Sequence, residues 1–260
     1  MIIERAKPSD YQDLRNLWLV VFNEDETFLE HFFTSRISYQ DIFVARVDGK
    51  LVSALHALPC RYHKWGKEYP VSYIVGAATY AEFRRQGIMS KLLKTTQDSY
   101  DHPITLFPAV RPFYEANGYV TTSSVLSFSL EHSLQKASPT PAPIPPFSTL
   151  DTLYRLETRE KGALVRDEEA WAFLTEGYQV LSVEGGYAFL SEGKAVEAMA
   201  VDLKSAKVLL SALQASNISE VYALPDSPIS LLLGKEKGVP IPMGMSTDNE
   251  LQGVYIAEQY

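Results

Sequence analysis

The chain has 260 residues, 46% hydrophobic and 22% charged, with a formal net charge of −8 and a pI near 5.2. These totals suit one large or two modest globular domains. The acidic balance argues against nucleic acid as a partner, because phosphate binding calls for a basic face. The single cysteine, Cys60, excludes an intramolecular disulfide and suits a reducing compartment; it reads as a small buried apolar side chain. The start of the chain shows no signal-peptide pattern, and its longest early apolar run, residues 17–22, is far too short for a membrane span. A cytoplasmic protein without a membrane partner is expected.

In chain order, residues 1–6 read as a strand, and Ser9 with Gln12 as a capping box. A helix follows with Tyr11, Leu14, Leu17, Trp18, Val21 and Phe22 on its buried face. After an acidic break at Glu24, Asp25 and Glu26, a second helix is expected over 27–36. Strands are expected over 41–47, 50–60 and 68–80, the first two joined by the hairpin signal Asp48-Gly49, with a second turn near Trp65-Gly66. A helix reaches about residue 100. A strand over 103–108, a short helix over 110–117 closed by Gly118, and strands over 119–122 and 125–130 complete a first unit, residues 1–135. Residues 136–147 are a Pro-rich linker, expected to be extended.

The second unit, 148–260, shows helical patterns over 150–161 and 167–174, then strands over 179–183, 187–190 and 195–201. A helix over 205–215, a strand over 220–224 and a terminal strand over 254–257 follow. FVARVDGKLV from residue 43 is echoed by YAFLSEGKAV from residue 187, both strand, acid-Gly-Lys turn, strand. The expected fold class is α/β (α+β): a mixed central sheet followed by a second, smaller unit of similar plan.

The stretch 74–94, IVGAATYAEFRRQGIMSKLLK, organises the first unit. A β-prone run leads through Arg84, Arg85 and Gly87 into a helix with Ile88, Met89, Leu92 and Leu93 on one face. Amides in the first turn of a helix have no intrahelical partner and carry partial positive charge, so a pyrophosphate can take them. Gly87 lets the backbone come close. RRQGIM resembles the Arg/Gln-x-x-Gly-x-Gly/Ala signature of the GNAT superfamily of N-acetyltransferases, departing from it at Met89. That departure, and LYRLETREKGALVRDEEAW over 153–171, resemble the enhanced intracellular survival branch. Proteins of that branch carry a further sterol-carrier-like domain, for which this chain is expected to have no room. The resemblance implies a GNAT fold in the first unit and a GNAT-like second unit. The second unit has Asp202-Leu203-Lys204-Ser205 where the first has Arg-x-x-Gly, so it is expected not to hold coenzyme A.

The resemblance also implies a chemistry. Acetyl-CoA is the co-substrate, with Ala77, Ala78 and Thr79 presenting backbone to the pantetheine arm, and Arg84, Arg85, Gln86, Gly87, Ile88, Met89 and Ser90 holding the pyrophosphate. Tyr114, with Gly118 and Tyr119 at the family's Tyr-x-x-x-Gly-aromatic spacing, is the candidate acid for the leaving thiolate. A phenol, with a pKa near 10 when unperturbed, stays protonated at neutral pH. In the resembling branch the chain's terminal carboxylate reaches the active site, which here points to Tyr260. Glu24, Asp25 and Glu26 are the alternative bases and would favour a small-molecule amine acceptor of positive charge. The five histidines show no metal-ligand spacing, and no metal is expected. Two other readings compete with an N-acetyltransferase. One is a sensor that binds acyl-CoA without turnover, which would share the loop but lack an open cleft at Tyr114. The other makes the second unit a homo-oligomerisation surface.

Overall fold

The computed structural model describes residues 1–130 and 143–258. Most of the linker expected at 136–147 lies outside the described residues, and so does Tyr260.

The first half contains β1 (Ile2–Arg5), α1 (Tyr11–Phe22), α2 (Glu26–Ser35), β2 (Ile42–Val47), β3 (Lys50–Lys64) and β4 (Lys67–Thr79). It continues with α3 (Ile88–Gln97), β5 (Ile104–Leu106), α4 (Arg111–Glu115), β6 (Val120–Thr121) and β7 (Ser124–Ser129). The second half contains α5 (Phe147–Thr158), β8 (Ala163–Leu164), α6 (Glu168–Gly177), β9 (Gln179–Val183), β10 (Gly186–Ser191) and β11 (Lys194–Ala200). Then come α7 (Leu203–Ala215), β12 (Glu220–Ala223), α8 (Pro228–Leu233), β13 (Val239–Pro242) and β14 (Met245–Ser246).

Local chemistry sets the hairpins. Asp48 and Gly49 both take positive φ, 49° and 80°, and Trp65 and Gly66 repeat this at 52° and 72°. Two successive left-handed residues twist a two-residue turn to match its strands. Glu192 and Gly193, at 48° and 76°, do the same between β10 and β11, so the sequence echo corresponds to a repeated turn. Ser9 and Gln12 form no capping box: the Asp10 carboxylate takes the Lys7 amide at 2.9 Å, and Gln12 donates to Asn16.

The first sheet runs β1-β2-β3-β4-β5-β14-β6, with β8 beside the far end of β3; the second runs β13-β7-β12-β11-β10-β9. Each has one parallel pair, β4 with β5 and β11 with β12. In each, a helix (α3, α7) connects the parallel strands, so the second half repeats the plan of the first. The sheets do not divide at the boundary expected near residue 135. Strand β7, read from sequence as part of the first unit, lies in the second sheet, while β14 from the second half sits between β5 and β6. The strand expected over 254–257 is reduced to one bridge between Tyr255 and Ala163.

The two halves also share a core. Leu164, Phe173, Leu251, Val254 and Ile256 pack with Leu14, Trp18, Leu29 and Phe32 under α1 and α2. At the seam one fully buried cation gathers the structure. The Arg166 guanidinium donates to both Glu197 oxygens at 2.7 Å and through Nε to Glu258 at 2.9 Å. The Tyr187 and Tyr255 hydroxyls complete Glu197, and the ring of Tyr154 lies 4.0 Å from the guanidinium. Bidentate geometry and saturated acceptors are what allow such a charge inside. Arg166→Met leaves two buried carboxylates without their cation. It is expected to cost about 3–5 kcal/mol of unfolding free energy in urea; a loss below about 1 kcal/mol would contradict this role.

Strand β4 is interrupted where the site forms. Opposite β3 the register shifts between Ala54 and His56, which face Ala78 and Val75, so Gly76 and Ala77 form a bulge. Gly76 has φ +58°, and a Cβ there would stand 2.1 Å from Cζ2 of Trp18. The Trp18 indole is fixed in turn by donating to His56 Nε2 at 3.2 Å. Burial pushes His56 down to about 3, so the ring is neutral with its proton on Nδ1. Gly76→Ala should therefore cost well over the roughly 1–2 kcal/mol of a left-handed L-residue. In a Trp18→Leu background the cost should shrink towards that backbone value. An equal cost in both backgrounds, measured by denaturant unfolding, would refute the contact.

Candidate active site

The loop before α3 is built as an open cradle. Arg84 Nε donates to the Thr79 carbonyl at 2.9 Å, and the Gln86 side chain to the Glu82 carbonyl at 3.0 Å, so both are tied to the loop itself. Arg85 takes φ 60° and Gly87 φ 74°. Gly87 is the N-cap of α3 with no side-chain cap, and a Cβ on it would meet nothing within 4 Å. The Lys91 amide reaches the Gly87 carbonyl at 3.1 Å, which leaves Ile88, Met89 and Ser90 as the uncapped first turn. Ile88 is buried, and Met89 packs on the same core, anchoring the helix start.

Helix α7, at the matching place in the second half, is closed to such a ligand. Its N-cap Asp202 turns its own carboxylate onto the Ser205 amide at 2.7 Å. The amides that Gly87 leaves open in the first half are met there by a fixed negative charge.

Strands β4 and β5 pair only from Ser72 to Ile74. Beyond that they part, and a cavity of about 130 Å³ opens in the fork. Tyr73 to Ala77 form one side, Phe107 and Ala109 the other, and Trp18, Glu24, Tyr114 and Glu258 close it. Of the three predicted pantetheine residues, Ala77 lines this cavity, while the Ala78 carbonyl is held by Ser53 Oγ at 2.8 Å and Thr79 Oγ1 lies 2.7 Å from the same hydroxyl.

Tyr114, from α4, is 8% exposed, and burial pushes its phenol up to about 12. Among the described residues its hydroxyl has no hydrogen-bond partner, although the ring packs edge-on to Phe113 and Tyr119. The three predicted acids separate. Glu24 lines the cavity, and burial, with Asp25 adding to it, raises its carboxyl above the usual range. Asp25 is the N-cap of α2, accepting from the Thr27 and Phe28 amides at 2.8 and 3.2 Å, which lowers its pKa. Glu26 is exposed in the first turn of α2 and does not line the cavity.

Glu258 is the residue that sequence reasoning missed. Two positions before Tyr260, it lines the same cavity as Tyr114 and Glu24, and the Tyr73 hydroxyl donates to its carbonyl. Its carboxylate is held by Arg166 and by the Ala257 amide at 3.0 Å. The signal available was the apolar run Val254–Ile256 ending in one acid, which reads equally as a strand. A separate groove of about 420 Å³ lies between α2 and α6, with Asp25, Phe28, His31, Phe173, Glu176 and Tyr178 among its walls. Burial pushes the Cys60 thiol up to about 12, away from the thiolate a nucleophile needs. Among the described residues no group of three or more His, Cys, Asp or Glu is placed to hold a metal, and no helix is long and apolar enough to cross a membrane.

Residues 3–122 match the family model of the acetyltransferase (GNAT) domain, ending where the chain leaves the first sheet. No curated protein sequence matches the chain. Among solved structures, a probable N-acyltransferase from Enterococcus faecalis is 18% identical with a TM-score of 0.70, over 97% of this chain and 73% of that one. A GCN5-related N-acetyltransferase from Anabaena variabilis is 16% identical with a TM-score of 0.68, over 94% and 72%. Eis1 from Mycobacterium abscessus is 12% identical with a TM-score of 0.67, over 95% and 73%. These likenesses extend through both halves and establish the shared fold. Residues 3–122 are thus an acetyltransferase (GNAT) domain.

Proposed function

We propose that the chain moves an acetyl group from acetyl-CoA to a primary amine on a small cationic molecule. The observation that carries this reading is three features around β4: the uncapped helix start at Gly87 that follows it, its unpaired edge, and a partnerless phenol brought to the fork by α4. The pyrophosphate would lie on the amides of residues 85–90, and the pantetheine arm would complete the edge of β4 near Ala77 as an added strand does. This brings the thioester towards Tyr114.

Glu24 is the base in this reading. Its raised pKa suits it to take a proton from an ammonium group, and the neutral amine then attacks the thioester carbonyl. The tetrahedral adduct collapses, the C–S bond breaks, the Tyr114 hydroxyl supplies the proton to the thiolate, and the surplus proton on the new amide nitrogen restores the phenol. Glu258 is already engaged by Arg166 and the Ala257 amide and is not assigned this role. The groove between α2 and α6, with acids and aromatic faces, favours a cationic acceptor. Turnover is preferred over a sensor role because Tyr114 faces the fork instead of being hydrogen-bonded within the core.

Two substitutions separate binding from chemistry. Gly87→Asp would place at α3 the capping carboxylate that Asp202 gives α7; titration calorimetry should show coenzyme A binding lost while the fold persists. Unaltered affinity would remove the loop from the site. Tyr114→Phe should lower kcat about 10²–10⁴-fold in a thiol-release assay over a panel of amines, with donor affinity little changed. Undiminished turnover would eliminate Tyr114 as the acid.

A further inference from the structure

A larger cavity lies away from the fork and shares no lining residue with it. It measures about 530 Å³ and sits on the seam between the halves, bounded by the end of α5, the β11–α7 junction, the loop before α8, and Gln252, Gly253 and Tyr255. That volume falls within the range of small-molecule sites. Leu156, Val201, Leu224, Pro225 and Pro228 give part of its wall an apolar face, among polar and charged neighbours.

One polar group in that wall is unresolved by the fold itself. Glu157 lines the cavity with its carboxyl inside the protein. Its Oε2 accepts from the Ala200 amide, whereas the buried Oε1 has no hydrogen-bond partner. Among the described residues no arginine or lysine is within ion-pair distance of it. Arg159 and Lys161, which also line the cavity, are exposed, and Asp226 is engaged with Lys235 at 2.5 Å. Burial, with Glu197 nearby, pushes the Glu157 carboxyl up to about 8. A buried carboxyl with a free oxygen is costly unless a donor or a counter-charge meets it.

We propose that this cavity is a second small-molecule site, which takes an amine with an apolar body, its ammonium on Glu157 and its hydrocarbon against Leu156, Val201 and Leu224. An ammonium supplies both the missing donor and the missing charge. An anion would face a carboxyl that has no cation within ion-pair distance, since Arg159 and Lys161 sit at the exposed part of the wall, so it is disfavoured at Glu157.

The test uses the full chain carrying Glu24→Gln, so that acceptor binding at the fork is weakened and failure of the transferase reading is scored separately by thiol release. Cyclohexylamine and benzylamine, with uncharged cyclohexanol as control, are titrated by calorimetry. Both amines should bind, with cyclohexanol at least about tenfold weaker. Adding Glu157→Gln should weaken amine binding about tenfold or more and leave the thiol-release rate of the otherwise native enzyme unchanged. Leu156→Trp, at an exposed lining residue, should block the cavity without touching a buried group, and it carries the test if Glu157→Gln does not fold. Absence of amine binding, or equal affinity in both variants, would overturn the proposal.

Discussion

The guanidinium of Arg166 is the constraint on which the arrangement depends. It is held between Glu197 on β11 and Glu258 on the C-terminal segment, and aromatic rings from α5 and α6 cover it. A charge taken so far from water is tolerable only while all its hydrogen bonds are made. The second sheet, the second pair of helices and the last described residues therefore have one mutual position. That position brings Glu258 into the fork between β4 and β5. The second half thus forms one wall of the site in the first.

The halves use one plan and diverge in a single detail. Both run antiparallel strands into a helix and then a parallel strand, and both turn their hairpins on an acid-glycine pair. At α3 the helix start is left bare by a glycine, and at α7 an aspartate fills it. A helix N-terminus is a neutral scaffold feature; whether it serves an anion is decided by the side chain at the cap. The exchange of β7 and β14 between the sheets prevents the halves from being independent bodies, and it agrees with likenesses to solved structures that run through nearly the whole chain.

Much of this was legible beforehand because it is written in local chemistry. Asp48-Gly49 and Trp65-Gly66 name their turns, α3 shows its apolar face, and Gly87 marks the cradle. The family resemblance, through the spacing from Tyr114 to Gly118 and Tyr119, pointed to the phenol on the helix that lines the fork. Other features depend on contacts that no local pattern records. Gly76 sits in an apolar run that reads as unbroken strand, and its bulge follows from the indole of Trp18 on the other side of the core. Strand β14 is two residues long and gains its place only by pairing with β5 and β6. Arg166 falls between the helical patterns expected over 150–161 and 167–174 with nothing local to mark it, and its partners lie 31 and 92 residues away. Glu24, Asp25 and Glu26 looked equivalent, and the start of α2 separated them by taking Asp25 as its cap.

The central claim is that the donor's pyrophosphate is held by main-chain amides at the start of α3, with its arm along β4. A backbone amide NMR titration with coenzyme A tests it most directly. The account predicts the largest shifts at residues 85–90 and at Ala77, with little change at residues 202–205 of the second half. Shifts concentrated away from Gly87, or appearing equally at Asp202, would contradict it.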